Sequence, residues 1–403
     1  MKTISLSWCY LWSRPLAASL NLLLLTLGLA CITFVLLISH QISHAFERDL
    51  AGIDVVVGAK GSPMQLILSG VFHLDLPTGN VPLAAIKALE KNPQVAKVIP
   101  ISLGDSFRGF RIVGTSLDYI KHYNAQLDTA TGGALWAKPM QAVIGRQVAR
   151  QTGLKVGDTF SGSHGLGSRG ESHEQLPYTV VGVLAASGSV LDRLVLTATE
   201  SVWKVHETAT ALDAKDQKIL EEDRELTLAL IQYRTPLAAV TFPRFVNTTT
   251  EMQAAAPALE ITRLLSMIGV GTDVFKALGG VLLLTAGLSV FIALWSAVRE
   301  RRADLALLRM LGAPPRKIAG LLLFEALWLV LMACALGVLA GQGLMALTAW
   351  ALQAEKSILT GAFVWPVELM AVPLLALVVA LAASVLPAWE AYRVSVFELL
   401  RSR

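Results

Sequence analysis

Long uncharged stretches dominate the hydrophobic pattern of the sequence. Four of them have at least 21 consecutive residues without Asp, Glu, Lys or Arg, namely residues 15–46, 277–298, 326–354 and 369–389. A bilayer core is about 30 Å thick, and a helix of about 20 residues crosses it. The sequence therefore predicts four transmembrane helices, at residues 16–38, 277–298, 318–352 and 369–389. The first stretch is too long for the apolar region of a signal peptide, and no small-residue cleavage site follows it.

Basic residues between the apolar stretches predict the orientation. Residues 299–317 contain six Lys and Arg against two Asp and Glu, and the segments 1–15 and 390–403 also carry basic residues, whereas 353–368 has one Lys against two Glu. Lys and Arg concentrate on the cytoplasmic side of membrane proteins. We therefore expect both termini and the 299–317 loop in the cytoplasm, and the segments 39–276 and 353–368 on the opposite side.

The segment 39–276 has a mixed pattern of short elements. Strand-like runs and helices alternate in it: strands at 53–58, 95–101, 107–113, 142–144, 178–184, 194–197 and 226–233, and helices at 83–91 and 146–152. Apolar residues at helical spacing continue outward from the first span and lead into the second, which predicts a helical stalk. Residues 211–225 carry nine charges, typical of a solvated helix or linker. The predicted fold class is thus an α+β membrane protein with four transmembrane helices and a large extracytoplasmic domain between helices 1 and 2.

Composition and charge exclude several classes of protein. The chain is 54% apolar and 16% charged, well below the charged fraction of about a quarter in soluble domains. Residues 45–276 carry 22 Lys and Arg against 23 Asp and Glu, so the basic excess lies outside the folded block. We therefore expect a lipid bilayer and no nucleic acid as a partner. The three cysteines, Cys9, Cys31 and Cys334, all lie outside this block, which agrees with its export to an oxidising compartment.

No catalytic motif occurs in the sequence, and the metal candidates are few. His164, His173 and Glu174 lie in a segment rich in glycine and serine, where they could bind Zn²⁺ or Cu²⁺ weakly. The alternative is a solvated loop without metal. A membrane-anchored enzyme ranks last, because the sequence has neither a catalytic triad nor a metal-ligand cluster.

Within the spans, one acid and two rows of small residues stand out. Glu325 lies about 14 Å along its helix from Arg316, where an ionisable side chain is costly. It bonds a neighbouring helix or the cytoplasmic loop, or it extends to the membrane surface. The small residues recur every four positions, which lets membrane helices approach closely: Ser289, Ala293 and Ala297 in the second span, and Gly337 and Gly341 in the third. Because four spans enclose no evident pore, we expect a dimer.

The basic loop has the pattern of a short amphipathic helix. Leu305, Leu308 and Leu311 recur at helical spacing between basic residues, Gly312 ends the pattern, and Pro314-Pro315 begins the next helix. Such a helix can fit a groove on a partner protein.

The sequence of this loop resembles the coupling-helix region of MacB/FtsX-type (type VII) ABC transporter permeases. Glu300 and Arg301 match the family pattern, Asp304 replaces its usual Glu, and residues 308–313 match closely. The tail from Leu386 to Arg401 resembles the family ending, except that Ser395-Val396 replaces Asp-Pro and Leu399 replaces Ala. Residues 142–145, 153–158 and 178–184 resemble the MacB-like periplasmic core domain.

The resemblance implies a permease subunit, not an enzyme, in the bacterial inner membrane. It implies a homodimer, or a dimer with a related permease, on a dimer of cytosolic ABC ATPases that use ATP and Mg²⁺, while this chain binds no cofactor. ATP-driven motion would pass to the periplasmic domain for export or extraction of a substrate, as in MacB and LolC. The residues expected to couple to the ATPase are Glu300, Arg301, Arg302, Asp304, Leu305, Leu308, Arg309, Leu311 and Gly312. Of these, the arginines would hold the ATPase and the leucines would dock in its groove.

Two alternatives remain within this class. One is an FtsX-like regulator that activates a cell-wall enzyme without transport, although FtsX-type extracellular domains are much smaller. The other is metal-linked export through the candidates His164, His173 and Glu174. A periplasmic adaptor or substrate-binding protein is a further candidate partner.

Overall fold

The computed structural model describes residues 3–164, 176–210, 223–353 and 365–393. These residues form two compact units. The helical unit comprises Met1–Ser43 and Met267–Arg403, and the sheet unit comprises His44–Ser266. The highly charged segment predicted at 211–225 lies largely outside the described residues.

The helices are given in chain order: α1 (Thr3–Leu11), α2 (Pro15–Leu50), α3 (Pro63–Gly70), α4 (Leu83–Glu90), α5 (Leu117–His122), α6 (Arg146–Thr152), α7 (Thr199–Thr210), α8 (Ala238–Thr249), α9 (Pro257–Glu300), α10 (Arg302–Met310), α11 (Pro315–Gln353) and α12 (Ala371–Arg393). Short 3₁₀ turns cover Val190–Arg193 and Val367–Met370.

The strands are β1 (Val55–Ala59), β2 (Val81–Pro82), β3 (Val95–Phe107), β4 (Phe110–Thr115), β5 (Gln141–Ile144), β6 (Thr159–Phe160), β7 (Ser163–His164), β8 (Tyr178–Val183), β9 (Val195–Ala198), β10 (Glu225–Leu226), β11 (Leu228–Tyr233) and β12 (Met252–Ala255).

Among the described residues, four helices are long and apolar enough to cross a membrane: α2, α9, α11 and α12. Three of them are much longer than a bilayer requires. The 36 residues of α2, the 44 of α9 and the 39 of α11 correspond to about 54, 66 and 58 Å at 1.5 Å per residue, against a bilayer core of about 30 Å. Both α2 and α9 extend past the predicted span boundaries, α2 on to Leu50 and α9 back to Pro257, and the stalk stays a prediction.

The sheet unit is built on a ten-stranded mixed sheet. Its order is β12-β1-β11-β3-β4-β9-β5-β8-β6, with β7 paired to β3. The β4–β9 and β5–β8 pairs are parallel, and the other pairs of this sheet are antiparallel. One apolar core packs α4 and α8 against β1, β11 and β12, and a second packs α6 against β4, β5, β8 and β9. The predicted α+β class is correct for this unit.

Strand β3 is longer than the sequence pattern indicates. The prediction ends one strand at residue 101 and begins another at 107, whereas the structure has a single strand Val95–Phe107 that turns at Arg108-Gly109. Both turn residues have positive φ, as two-residue hairpins require. Polar side chains between 102 and 106 interrupt the apolar pattern, although Ser102 and Ser106 are buried. The prediction was wrong because these polar positions face the interior.

Strand β12 forms one edge of the sheet, and side chains cover its outward backbone groups. The Asn247 side chain accepts a hydrogen bond from Ala254 N at 2.6 Å and donates one to Ala254 O at 3.2 Å. The Thr250 hydroxyl accepts a hydrogen bond from Met252 N at 3.1 Å. The sequence pattern missed this strand and also α3, α5, α7 and α8.

Candidate functional site

Helix α10 is the short helix between α9 and α11, at the position of the predicted amphipathic helix. Leu305 and Ala306 are buried in the helical unit, and Leu305 belongs to its apolar core. The apolar side chains on the opposite face are solvent-accessible: Leu307, Met310 and Leu311 are 52%, 56% and 83% exposed. The helix therefore presents an outward apolar face, which we call the outer face of α10 and define by these three residues.

Gly312 ends this helix by a change of backbone direction. Its φ of 91° lies in the left-handed region, where glycine meets no steric penalty. The amides that follow the helix donate to its last carbonyls, Leu311 N to Leu307 O and Ala313 N to Leu308 O, both at 3.0 Å. The sequence prediction of a stop at Gly312 and a new helix at Pro315 agrees with the structure.

Arg301 joins α9 to α10 and points into the helical unit. Its side chain is only 13% exposed. One guanidinium nitrogen donates to Ser13 Oγ at 2.6 Å and to Tyr10 O at 3.1 Å, and the other lies 3.4 Å from Glu325 Oε1. The guanidinium carbon also lies 4.7 Å from the centre of the Tyr10 ring. The donors of Arg301 are thus directed at the same chain.

Glu325 is buried in the third span, with 5% of its side chain exposed. Of the outcomes left open by the sequence, the structure shows the bond to the loop between the second and third spans, through Arg301. A second ion pair lies beside it, between Arg14 at the start of the first span and Glu300 at the end of α9. The two pairs border a cavity of about 370 Å³, which Asn21 and Ser289 also line.

The predicted coupling residues therefore divide between two faces. Arg301 and Leu305 face inward, Glu300 is paired with Arg14, and Asp304 is exposed. Leu308 and Arg309 are half-buried, and the side chain of Arg302 lies outside the description. Leu305, which was predicted to dock in a partner groove, is buried, whereas Leu307 and Met310, which were not named in that prediction, are exposed. The spacing of residues 305, 308 and 311 fits a helix, but spacing alone does not say which stripe faces the interior.

The predicted small-residue positions lie in contacts within one chain. Ser289 Oγ is 2.6 Å from Asn21 Oδ1 of the first span, and Ala297 is buried. A Cβ atom on Gly337 would lie 2.7 Å from Leu29 Cβ, and one on Gly341 would lie 2.5 Å from Thr33 Cγ2. Ala293 lines the cavity described above. These contacts are made within one copy and give no evidence for the predicted dimer.

Comparison with known proteins decides the family. The family model described as MacB-like periplasmic core domain matches residues 18–230, which is more than half of the chain, and the one described as FtsX-like permease C-terminal matches residues 276–396. The chain belongs to the MacB/FtsX-type family of ABC transporter permeases. It is accordingly a membrane protein with a large extracytoplasmic domain. No curated protein matches this permease significantly.

Solved structures similar to the permease include two extracytoplasmic regions. One is the periplasmic region of MacB from Actinobacillus actinomycetemcomitans, at 9% identity and a TM-score of 0.35, over 54% of this chain and 95% of that one. The other is the extracellular domain of the noncanonic ABC-type transporter YknZ from Gram-positive bacteria, at 10% identity and a TM-score of 0.30, over 50% of this chain and 98% of that one.

The motifs that resemble the core domain occupy neighbouring elements of the sheet unit. The strands β5 and β8 pair in parallel, and α6 follows β5 directly after Gly145. Gly153 ends α6 with a left-handed backbone, and Lys155 N donates to Asp158 Oδ2 at 2.8 Å in the turn that follows. The residues that resemble the core domain thus lie in strand β5, in the turn that follows helix α6, and in strand β8.

The metal candidates of the permease lie mostly outside the described residues. His173 and Glu174 fall in the gap 165–175, and the structure gives only the backbone of His164, which ends β7. Within residues 3–164, 176–210, 223–353 and 365–393, no group of three His, Cys, Asp or Glu side chains is placed to hold a metal ion. Metal binding therefore stays an untested expectation.

A buried histidine in the sheet unit gives the permease a testable pH dependence. His73 is buried and its Nε2 lies 3.0 Å from the Tyr119 hydroxyl. Burial, followed by the positive charges of Arg111 and Arg193, lowers the pKa of His73 well below its ordinary value of 6.5. In the unfolded chain the same histidine takes up a proton near pH 6.5. Below pH 6.5 the unfolded chain therefore binds a proton that the folded chain does not. The contribution of His73 to the free energy of unfolding is complete above that pH and is lost as the pH falls below it.

We expect the sheet unit to lose up to about 1.4 kcal/mol of stability per pH unit below pH 6.5 through this group. Amide hydrogen exchange of the α3 and β4 peptides in the full chain, measured between pH 7.5 and 5, reports this loss. The His73→Gln variant should be less stable at pH 7.5 but show a smaller pH slope. An equal slope in both proteins would contradict the assignment.

Proposed function

We propose that this permease transmits ATP-driven motion from a cytosolic ABC ATPase to its extracytoplasmic domain, for the export or extraction of a substrate. In this proposal it lies in the bacterial inner membrane with both termini in the cytoplasm. Two permease copies, either identical or related, bind an ATPase dimer. ATP and Mg²⁺ bind the ATPase subunits, and this chain performs no hydrolysis.

The observation that carries the proposal is the continuity of α9. This helix runs without interruption over 44 residues from Pro257 in the sheet unit to Glu300, and α10 begins at Arg302. A displacement of α10 at one end would therefore act on one helix that reaches the sheet unit at the other. A continuous α-helix transmits force better than a flexible loop, because each backbone N–H donates a hydrogen bond to the carbonyl four residues earlier along the axis.

The end of α2 provides a second mechanical attachment. Asp49, in the last turn of α2, is 1% exposed. Its carboxylate accepts a hydrogen bond from Val190 N at 3.2 Å, and its carbonyl accepts one from the Tyr123 hydroxyl at 2.8 Å. This helix end is thus fixed to the sheet unit by contacts on two sides, which suits the transfer of motion into that unit.

The outer face of α10 is the proposed contact with the ATPase. Leu307, Met310 and Leu311 form an exposed apolar stripe at the spacing with which amphipathic helices fit partner grooves. Asp304 lies one turn before Leu307 and is also exposed. The inward direction of Arg301 and Leu305 leaves this stripe, rather than those two residues, to bind the partner.

Charge placed on the outer face of α10 tests this function. The full chain is purified from native membranes with its ATPase, and ATP hydrolysis by the complex is measured. The Leu307→Asp/Leu311→Asp variant should lower that hydrolysis at least tenfold, because two carboxylates would have to enter an apolar groove. Both residues are exposed in the free permease, so its folding should not change.

The matched control is Leu237→Asp, since Leu237 is 70% exposed and lies in the sheet unit. Unchanged hydrolysis in the α10 variant, or purification without any ABC ATPase, would overturn the proposal. Copurification of a cell-wall enzyme with no transported substrate would favour the regulatory alternative instead.

A further inference from the structure

We propose that Arg301 is a positioning residue that ties the N-terminal helix α1 to α10 and α11, so that these three helices move as one body. The inference rests on the proposed function, in which α10 receives motion from the ATPase. It assigns to α1, which precedes the first span, a part in that transmission.

The contacts of Arg301 join three separate segments of the chain. From its place between α9 and α10 it donates to Tyr10 O, in the last turn of α1, and to Ser13 Oγ, two residues beyond the end of α1, and it pairs with Glu325 of α11. Tyr10 O also accepts hydrogen bonds from Ser13 N at 3.2 Å and from Ser13 Oγ at 2.7 Å. Carbonyls at this end of a helix carry partial negative charge, which attracts a cation. A guanidinium group, with five donors in one plane, can satisfy such a carbonyl and a carboxylate at once.

Burial makes this arrangement specific. Arg301 and Glu325 are 13% and 5% exposed, and a buried charge that loses its partner is strongly destabilised. Lysine has a single ammonium group, so it can replace the charge but not the planar fork. Loss of Arg301 would therefore leave Glu325 without this partner and release the end of α1 at the same time.

Two further contacts lie at the same joint, which we define by Tyr10, Ser13, Arg301 and Glu325. Arg14, just after Ser13, pairs with Glu300, which precedes Arg301 by one residue. On the other side of α1, the rings of Trp8 and Trp328 of α11 meet edge to face at 5.1 Å between centres. Contacts of Arg301, Arg14 and Trp8 therefore all connect the N-terminal segment with α9, α10 or α11.

Hydrogen exchange of the full chain in lipid nanodiscs tests the joint without any ATPase. Arg301→Gln should speed amide exchange in residues 4–11 and 303–310 at least tenfold, while the sheet unit stays unchanged. Arg301→Lys should give an intermediate rate. Ser13→Ala, which removes one acceptor of Arg301 and the hydrogen bond from Ser13 Oγ to Tyr10 O, should affect residues 4–11 alone. The matched control is Arg316→Gln, because Arg316 is an exposed arginine of the same loop.

The positioning role is measured in the ATPase complex. Arg301→Gln should lower ATP hydrolysis about tenfold, and Arg301→Lys should restore at least half of it. Normal exchange in α1 of Arg301→Gln, or normal hydrolysis with the same substitution, would overturn the inference. The Leu307→Asp/Leu311→Asp variant tests the proposed function on the opposite face of α10, so failure of the one is distinguishable from failure of the other.

Discussion

Gly145→Ala is expected to destabilise the extracytoplasmic domain by about 3 kcal/mol or more, and Gly145→Val by more than that. Gly145 lies between β5 and α6, and a Cβ atom there would sit 2.1 Å from Leu191 O and 2.4 Å from Asp192 O. Both neighbours are backbone atoms, which cannot rotate away. Gly145 N also donates to Leu194 O at 2.9 Å, so moving the two segments apart would break this hydrogen bond.

Urea unfolding of the full chain measures this loss, with the unfolded fraction at each urea concentration determined by proteolysis of the sheet unit. The control is Gly153→Asn, because Gly153 has open space around it and asparagine tolerates its left-handed backbone. The control should cost about 1 kcal/mol or less. Equal stability of the Gly145→Ala variant and the native chain would show that the two segments are less tightly packed than described.

Gly341→Leu is expected to separate the first and third spans, with a loss of about 3 kcal/mol in the stability of the helical unit. A Cβ atom at Gly341 would lie 2.5 Å from Thr33 Cγ2 and 3.1 Å from Ala30 O, so a leucine side chain has no space between the helices. The half-buried Cys31 and Cys334 report this separation, since one lies on α2 and the other on α11.

Maleimide should label these two cysteines at least tenfold faster in the Gly341→Leu variant. Gly343→Leu is the matched control, because Gly343 lies on the same helix with nothing within 4 Å of its Cβ position. Labelling that is equally fast in both variants would mean that leucine at either position acts through the lipid-facing surface and not through the contact with α2.

The sequence predicted the elements whose causes are local. The apolar stretches, the stop at Gly312 and the helix over 146–152 each follow from a few neighbouring residues, and the structure has them at those positions. Helix α8 also carried a signal that was overlooked. Its residues Ala238, Phe242 and Val246 are buried at a spacing of four, although Pro243 interrupts the sequence.

The direction of side chains could not be predicted in the same way. Arg301 was assigned to the ATPase through the resemblance of its loop to a coupling helix, yet its partners in the structure, Tyr10, Ser13 and Glu325, are distant in sequence. Nothing near Arg301 in the chain indicates that these groups converge. Leu305 and Leu307 differ for the same reason, since the packing of α10 against other helices decides which of them is buried.

The Asn247 side chain, which covers strand β12, affects how the extracytoplasmic domain can associate with other polypeptides. An uncovered edge strand can pair with an unfolded polypeptide outside the membrane, and copies of the domain could polymerise in the same way. The Asn247 side chain is hydrogen-bonded to both Ala254 N and Ala254 O. A strand that pairs with Ala254 would first have to break these two hydrogen bonds. At this edge of the sheet, the Asn247 side chain therefore disfavours association by backbone pairing, which does not depend on the sequence of the added strand.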